Sequence, residues 1–148
     1  MSKGADVAER REPLLMYAVK QVELANRALL DELVRPAGVT ALQYTALSVL
    51  ARQRSPISSA ALARLSFVRA QSIADLVATL QHRGLVERHP DPSNRRRLLI
   101  TLTAAGDALL AGLEPGVAAL EERMLRGLSR AERRTLADLL NRARQNLD

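Results

Sequence analysis

The chain has no cysteine, no tryptophan and no long uninterrupted hydrophobic segment. Without cysteine among its 148 residues, disulfide bonds, zinc-thiolate sites and thiol-based redox sensing are excluded. One Phe and two Tyr are the only aromatic residues, so the core has to be built from Leu, Val, Ile and Ala. Such a core suits helices packed on helices better than a β-sandwich. A charge-free stretch lies between Arg35 and Arg52, but it is too short and too polar to cross a bilayer.

The N-terminus also lacks the apolar run of a targeting signal. Residues 1–12 are rich in charge, which is not the pattern of a signal peptide. We therefore expect the mature chain to start near Met1, to be cytoplasmic and to have no membrane partner. Its length predicts a single domain with a sizeable core.

Basic residues outnumber acidic ones by 22 to 16, and all but Lys3 and Lys20 of them are Arg. Residues 58–103 hold seven basic and three acidic residues, whereas residues 104–148 hold seven of each. The excess of positive charge is therefore concentrated in the middle of the chain. A polyanion is the partner that this distribution favours.

Apolar residues recur at helical spacing in the first third of the chain. The first predicted helix runs from Pro13 to about Leu33. Thr40 and Gln43 have the spacing of a capping box, which predicts a second helix over residues 41–53.

The middle third predicts a helix-turn-helix followed by a hairpin. A short helix begins at Ser58 or Ser59 and ends at Leu65, and a joint of three residues leads to a second helix over residues 69–83. Gly84 occupies the position of a left-handed C-cap. Residues 85–89 and 97–102 alternate as strands around the turn residues 90–94, which places Arg95, Arg96 and Arg97 at the exposed hairpin tip.

The last third predicts two amphipathic helices. Thr103 caps a helix that extends to about Leu128 and that Pro115 is expected to kink or split. Ser129 and Glu132 form a second capping box, which begins the final helix. The leucine stripes of both ends are more than one small winged helix can bury, so they predict a dimer.

The middle segment resembles a known family. Residues 71–106 read QSIADLVATLQHRGLVERHPDPSNRRRLLITLTAAG. They are similar to the recognition helix, the L-x-x-x-G-L-V strand entry, the D-P-x-D-R-R wing and the closing L-T-x-x-G of the MarR family of bacterial transcriptional regulators. Weaker similarity extends over nearly the whole chain.

The resemblance implies a mainly α fold with a small β-hairpin wing (α+β), a winged helix-turn-helix with long N- and C-terminal dimerisation helices. Residues 1–35 and 104–148 are the expected dimerisation region and residues 36–103 the DNA-binding region, within one intertwined domain. The implied function is that of a regulator, expected to be a ligand-responsive repressor, which binds a pseudo-palindromic operator in duplex DNA as a homodimer. The half-sites then lie about one helical turn, roughly 10 bp, apart.

On the recognition helix, the polar residues near the N-terminus are the candidates for DNA contact. Arg69 and Gln71 match guanine and adenine edges, Ser72 matches phosphate, and Asp75 lies on the same face. Arg96 matches the family arginine that enters the minor groove, while Arg95 and Arg97 contact or flank phosphate. The other interpretation of these helix residues is an ordinary solvated face.

The sequence departs from the family at two wing-supporting positions. Asn94 and Ala78 stand where the family often has Asp, so neither can hold a wing arginine by ion pairing. Asp91 is the available substitute. The resemblance further implies a small aromatic or phenolic effector, for which Met16, Tyr17 and Tyr44 are the candidate pocket residues, against the alternative that they simply pack in the core and interface.

The sequence contains no recognisable set of catalytic residues. No catalytic residue, cofactor or metal site is therefore predicted, and the protein is expected not to be an enzyme. His82 and His89 are isolated, no thiol accompanies them, and no glycine-rich phosphate loop is present. The competing function is a winged-helix protein-protein interaction module without sequence-specific DNA binding.

Overall fold

The computed structural model describes residues 14–148, which form six α-helices and a three-stranded antiparallel sheet. This confirms the mainly α fold with a β wing. The helices are α1 (Leu15–Val34), α2 (Ala41–Arg52), α3 (Ser59–Ser66), α4 (Ala70–His82), α5 (Ala104–Met124) and α6 (Arg130–Gln145), and the strands are β1 (Ile57–Ser58), β2 (Val86–Asp91) and β3 (Asn94–Leu102). Pro13, the predicted start of the first helix, lies outside the described residues.

Side-chain caps begin four of the helices where the sequence predicts them. Thr40 and Ser129 form complete capping boxes with Gln43 and Glu132 at the starts of α2 and α6. Ser58 caps α3, which settles the choice between Ser58 and Ser59, and Thr103 caps α5. Each cap supplies an acceptor to a backbone N–H that has no partner within the helix.

The core lies inside the winged helix-turn-helix. Its largest fully buried side chains come from α2, α3, α4 and β3, represented by Leu47, Leu62, Leu80 and Ile100. Partly buried residues of α1 and α5 pack against this cluster, among them Leu30, Leu109 and Leu113. The lobe that carries the excess of positive charge is therefore folded around its own apolar centre.

The joint between α3 and α4 has an unusual backbone. Phe67 has a φ of 59°, in the left-handed region that glycine normally occupies, and its side chain is 80% exposed. The Val68 amide donates to the Ala63 carbonyl at 2.9 Å and closes the end of α3. The tight turn that the sequence predicts is thus made without a glycine.

The sheet contains a strand that the sequence analysis did not predict. Residues Ile57 and Ser58 pair with Ile100 and Leu99, so the strand order is β1-β3-β2. Two residues are too few to show a period of two, and the short strand forms only because β3 offers it a partner.

The predicted hairpin boundaries are wrong at the turn. Both strands extend further than expected, so that Asp91 pairs with Asn94 and only Pro92 and Ser93 separate them. Arg95, Arg96 and Arg97 therefore lie in the first half of β3 and not on a loop at the tip. The cause is local, because the Asp91 carboxylate accepts hydrogen bonds from the Ser93 amide and hydroxyl and closes the turn early.

Of the two effects predicted for Pro115, a kink or a split of the next helix, the split is wrong. α5 is one helix that contains Pro115, and it ends at Met124 instead of about Leu128. Gly116, directly after the proline, faces α1, where a Cβ would lie 2.7 Å from Leu33 Cδ1. Pro115 has no N–H to donate, so one backbone hydrogen bond of α5 is missing. The helix continues nevertheless, and it is packed closely against α1 at this point.

Both ends of the described part of the chain expose large apolar side chains. Within residues 14–148, α1 begins and α6 ends with apolar faces that nothing covers. The more exposed of these residues are Leu14, Leu15, Met16, Tyr17, Val22, Leu139, Leu140 and Leu147. Among the described helices, none is long and apolar enough to span a membrane.

Candidate nucleic-acid interface

α4 presents a polar face to solvent because its apolar residues anchor it from the other side. Ile73, Val77 and Leu80 are buried at helical spacing. All four predicted contact residues of this helix are exposed, with Arg69 at the N-cap and Gln71, Ser72 and Asp75 in the first turns. The helix can therefore be approached along the face that the sequence analysis selected.

Three consecutive arginines of the wing lie in the first half of β3. Successive side chains of a strand point to opposite faces, so Arg96 is directed away from the face that Arg95 and Arg97 share. All three are exposed. Asn94 contacts the backbone of this segment, since its side-chain oxygen accepts a hydrogen bond from the Arg96 amide at 3.2 Å.

Asp91 is the acidic residue that organises the wing. Its Oδ2 atom accepts hydrogen bonds from Nε and Nη2 of Arg97 at 2.9 and 2.7 Å, while Oδ1 accepts from the hydroxyl and amide of Ser93. The Ser93 hydrogen bonds, followed by those from Arg97, lower the pKa of the buried Asp91 carboxyl to about 2. The carboxylate substitutes for the missing family aspartates, but the arginine it holds is Arg97 and not Arg96.

A further contact joins the wing to α4, and the sequence analysis missed it. Arg88 Nε in β2 donates to Gln81 Oε1 near the end of α4 at 2.6 Å. No short motif marks this pair, since the two residues meet only after the strand turns back along the helix. This hydrogen bond joins α4 to the β2–β3 hairpin.

The two histidines lie at exposed positions. His82 ends α4, and His89 in β2 has Nε2 2.9 Å from Thr101 Oγ1. In residues 14–148, no group of three His, Asp or Glu side chains is arranged to hold a metal ion. The surroundings of the histidines are those of surface residues.

The three candidate effector residues are not brought together. Met16 and Tyr17 lie on the first turn of α1 and are 82% and 58% exposed, whereas Tyr44 lines an open cleft of about 370 Å³. The cleft runs between α1, α2 and α5 and reaches the α3–α4 joint at Phe67. Its other walls come from three distant segments, so the sequence did not predict them. They include Asn26, Leu30, Arg52, Leu120 and Met124.

Comparisons with known proteins agree with this geometry. The profile of a family described as the MarR family matches residues 37–97. The HTH-type transcriptional repressor NicR of Pseudomonas putida is 30% identical over 137 residues, which cover 93% of this chain and 84% of the repressor.

Solved structures are similar over most of the chain as well. The crystal structure of a probable transcriptional regulator from Pseudomonas aeruginosa is 32% identical, with a TM-score of 0.76 and coverage of 88% of this chain and 96% of that one. A cysteine-to-serine mutant of MarR from E. coli, complexed with operator DNA, is 27% identical, with a TM-score of 0.77 and coverage of 87% and 92%.

Proposed function

Because the chain belongs to the MarR family of transcriptional regulators, we propose that it binds a pseudo-palindromic operator in duplex DNA as a homodimer. α4 of each protomer enters the major groove and the β2–β3 wing follows the adjacent minor groove. The observation that carries this proposal is the pairing of an exposed polar helix face with a row of three arginines, joined by the Arg88–Gln81 hydrogen bond. The solved complex of a related regulator with operator DNA supports the binding of duplex DNA.

Individual residues take distinct parts in this binding. Arg69 and Gln71 read base edges from the start of α4, Ser72 contacts phosphate, and Asp75 faces the same groove. Arg96 reaches the minor groove, because its side chain leaves the strand on the opposite face from Arg97, which Asp91 holds. Arg95 contacts phosphate, while Arg97 and Asn94 shape the wing.

Dimerisation and DNA binding belong to different segments of the chain. Residues 1–35 and 104–148 form the dimerisation region, and residues 36–103 form the DNA-binding region of one intertwined domain. The uncovered apolar faces of α1 and α6 support this division, since isolated folded chains rarely expose such continuous apolar surface.

The regulator acts as a repressor in the cytoplasm and is released by a small aromatic or phenolic effector. Relatives named repressors support repression as the outcome of binding. The cleft beside Tyr44 supports release by an effector, because it touches both the helices of the dimerisation region and the joint that precedes α4. Its two rings, Tyr44 and Phe67, are the available surfaces for an aromatic ligand. The protein acts by binding and not as an enzyme.

Selection from a random duplex library tests the DNA-binding proposal and the roles of two arginines together. Arg96→Ala is expected to weaken binding to the selected site and to lower the slope of log affinity against log salt by roughly one, because one phosphate-type contact is lost. Arg69→Ala is expected to relax base preference at one position of each half-site. Arg126→Ala, which removes an exposed arginine from the α5–α6 turn, is the matched control.

Two results would contradict these roles. If Arg96→Ala binds as tightly as the wild type at every salt concentration, Arg96 does not contact DNA. If Arg69→Ala selects the same sequence logo as the wild type, Arg69 does not read a base. A wild-type protein that binds genomic fragments without any sequence preference would favour the protein-protein interaction module instead.

A further inference from the structure

The connector between α1 and α2, residues 35–40, is hydrogen-bonded to the C-terminal end of the recognition helix α4. Arg83, the C-cap of α4, donates from Nη1 to the Gly38 carbonyl at 2.5 Å and from Nη2 to the Ala37 carbonyl at 3.0 Å. These carbonyls end the single 3-10 turn Arg35–Ala37 that continues α1. Helix ends leave such carbonyls without partners, and the planar fork of a guanidinium can serve two of them at once. Arg83 is therefore a cap for a helix 45 residues earlier in the chain.

α1 holds the other side of the same connector. The Asp31 carboxylate accepts a hydrogen bond from the Ala41 amide at 2.6 Å, so α1 caps the N-terminus of α2. This bond adds to the capping box that Thr40 and Gln43 form one residue earlier. The connector is thus held by α4 in its middle, at Ala37 and Gly38, and by α1 at its C-terminal end, at Ala41.

Gly38 makes room for this grip. Its φ of +79° lies in the left-handed region, and a Cβ added there would be 3.0 Å from Arg83 Nη2. A side chain would thus strain the backbone and press on the guanidinium. Glycine at position 38 is therefore needed both for the left-handed turn and for the contact with Arg83.

We propose that Arg83 is a positioning residue that sets the orientation of α4 relative to α1, and thereby the separation of the two recognition helices in the dimer. The inference rests on the proposed function. α4 and the wing are joined through Gln81 and Arg88, and Arg83 is a directional link from the end of α4 to the connector that follows α1. Apolar packing between the same elements is non-directional and tolerates small rotations. Two hydrogen bonds from one planar group are directional and do not tolerate them.

A distance measurement tests the positioning role without DNA. The chain has no cysteine, so Gln71→Cys gives one spin-labelling site on each recognition helix. Double electron-electron resonance on the intact dimer is expected to give a narrow distance distribution. Arg83→Met and Gly38→Ala should broaden or shift it, since the first removes the donors and the second obstructs them. Arg83→Lys should broaden it as well, because a single ammonium does not reproduce the planar fork. Arg126→Met is the control and should leave it narrow.

A second measurement uses operator duplexes in which the spacer between half-sites is lengthened or shortened by one or two base pairs. We expect the wild type to prefer one spacer and Arg83→Met to reduce that preference about fivefold or more. Its salt slope should stay unchanged, because the arginine binds protein and not phosphate. Thermal melting of each variant checks that the fold is retained.

The outcomes separate the two proposals. If Arg83→Met lowers the salt slope by about one and leaves the distances unchanged, Arg83 is a phosphate contact and the positioning role is overturned. Unchanged distances in both Arg83→Met and Gly38→Ala, or a monomeric wild type, overturn it too. If the wild type selects no DNA sequence but its helix separation depends on Arg83, the DNA-binding proposal fails and the positioning role stands.

Discussion

At the scale of single residues, the wing shows how one carboxylate replaces two that the sequence lacks. Asn94 and Ala78 carry no charge, and Asp91 supplies the carboxylate from the opposite strand. The sequence identified Asp91 as the substitute. It did not identify Arg97 as the arginine held, because the register that brings the two side chains together depends on a turn two residues long.

The pKa of Asp91 leads to a prediction about acid sensitivity. Its value in the folded chain is about 2 against an ordinary 3.8, so ionisation of Asp91 stabilises the fold above about pH 4, and that contribution is lost as the pH falls through 2. The free energy of unfolding of the wild type should therefore exceed that of Asp91→Asn at pH 5, and the difference should shrink steadily between pH 4 and pH 2. Urea unfolding at a series of pH values measures it.

Asp138→Asn is the control for loss of a surface carboxylate, since Asp138 is exposed on α6. A difference between wild type and Asp91→Asn that stays constant from pH 5 to pH 2 would show that ionisation of Asp91 does not support the wing.

At the scale of helices and strands, local signals predicted what local interactions decide. Capping residues placed the starts of α2, α3, α5 and α6 correctly, because each cap and its partner lie within three residues. Two of the errors fall where a distant segment takes part. β1 depends on β3, and α5 continues through Pro115 while packed against α1.

The start of α5 provides a test of such a distant constraint. A Cβ at Gly106 would collide with the carbonyl oxygen of Leu85 and would lie 2.6 Å from Leu102 Cδ1. Gly106→Ala is therefore expected to lower the free energy of unfolding by about 1 to 3 kcal/mol, as overpacking does in well-packed interiors.

Gly112→Ala is the matched control on the same helix. Nothing lies within 4 Å of a Cβ at Gly112, so alanine should stabilise the helix by about 0.5 to 1 kcal/mol. Urea unfolding compares the two variants at equal protein concentration. Equal effects of both substitutions would rule out the close approach of α5 to the hairpin.

At the scale of the whole molecule, the surface of one chain points to a second copy. Leu136, Leu139 and Leu140 of α6 are 37%, 51% and 49% exposed, and they share one face at helical spacing. Further apolar side chains are exposed at the start of α1. We propose that a second copy covers these faces in the homodimer.

A charge on this face should prevent association. Leu139→Glu is expected to convert the dimer to a monomer and to lower the melting temperature, because a carboxylate in the interface would be buried without a partner. Sedimentation velocity over a range of concentrations measures the association. Gln145→Glu places the same charge on the opposite side of α6 and should leave the dimer intact. A Leu139→Glu protein that remains dimeric would locate the interface elsewhere.

The sequence alone predicted the helices, the side-chain caps of four of them, the presence of a hairpin, the excess of positive charge in the middle of the chain and the resemblance to the MarR family. These features depend on residues close together along the chain, where spacing translates directly into a shared helix face or a cap. The tertiary structure alone decided which arginine Asp91 holds, that Arg88 ties the wing to α4, and that Arg83 grips the connector after α1. Those contacts join segments that meet only after the core has folded, and no local spacing encodes where their side chains arrive.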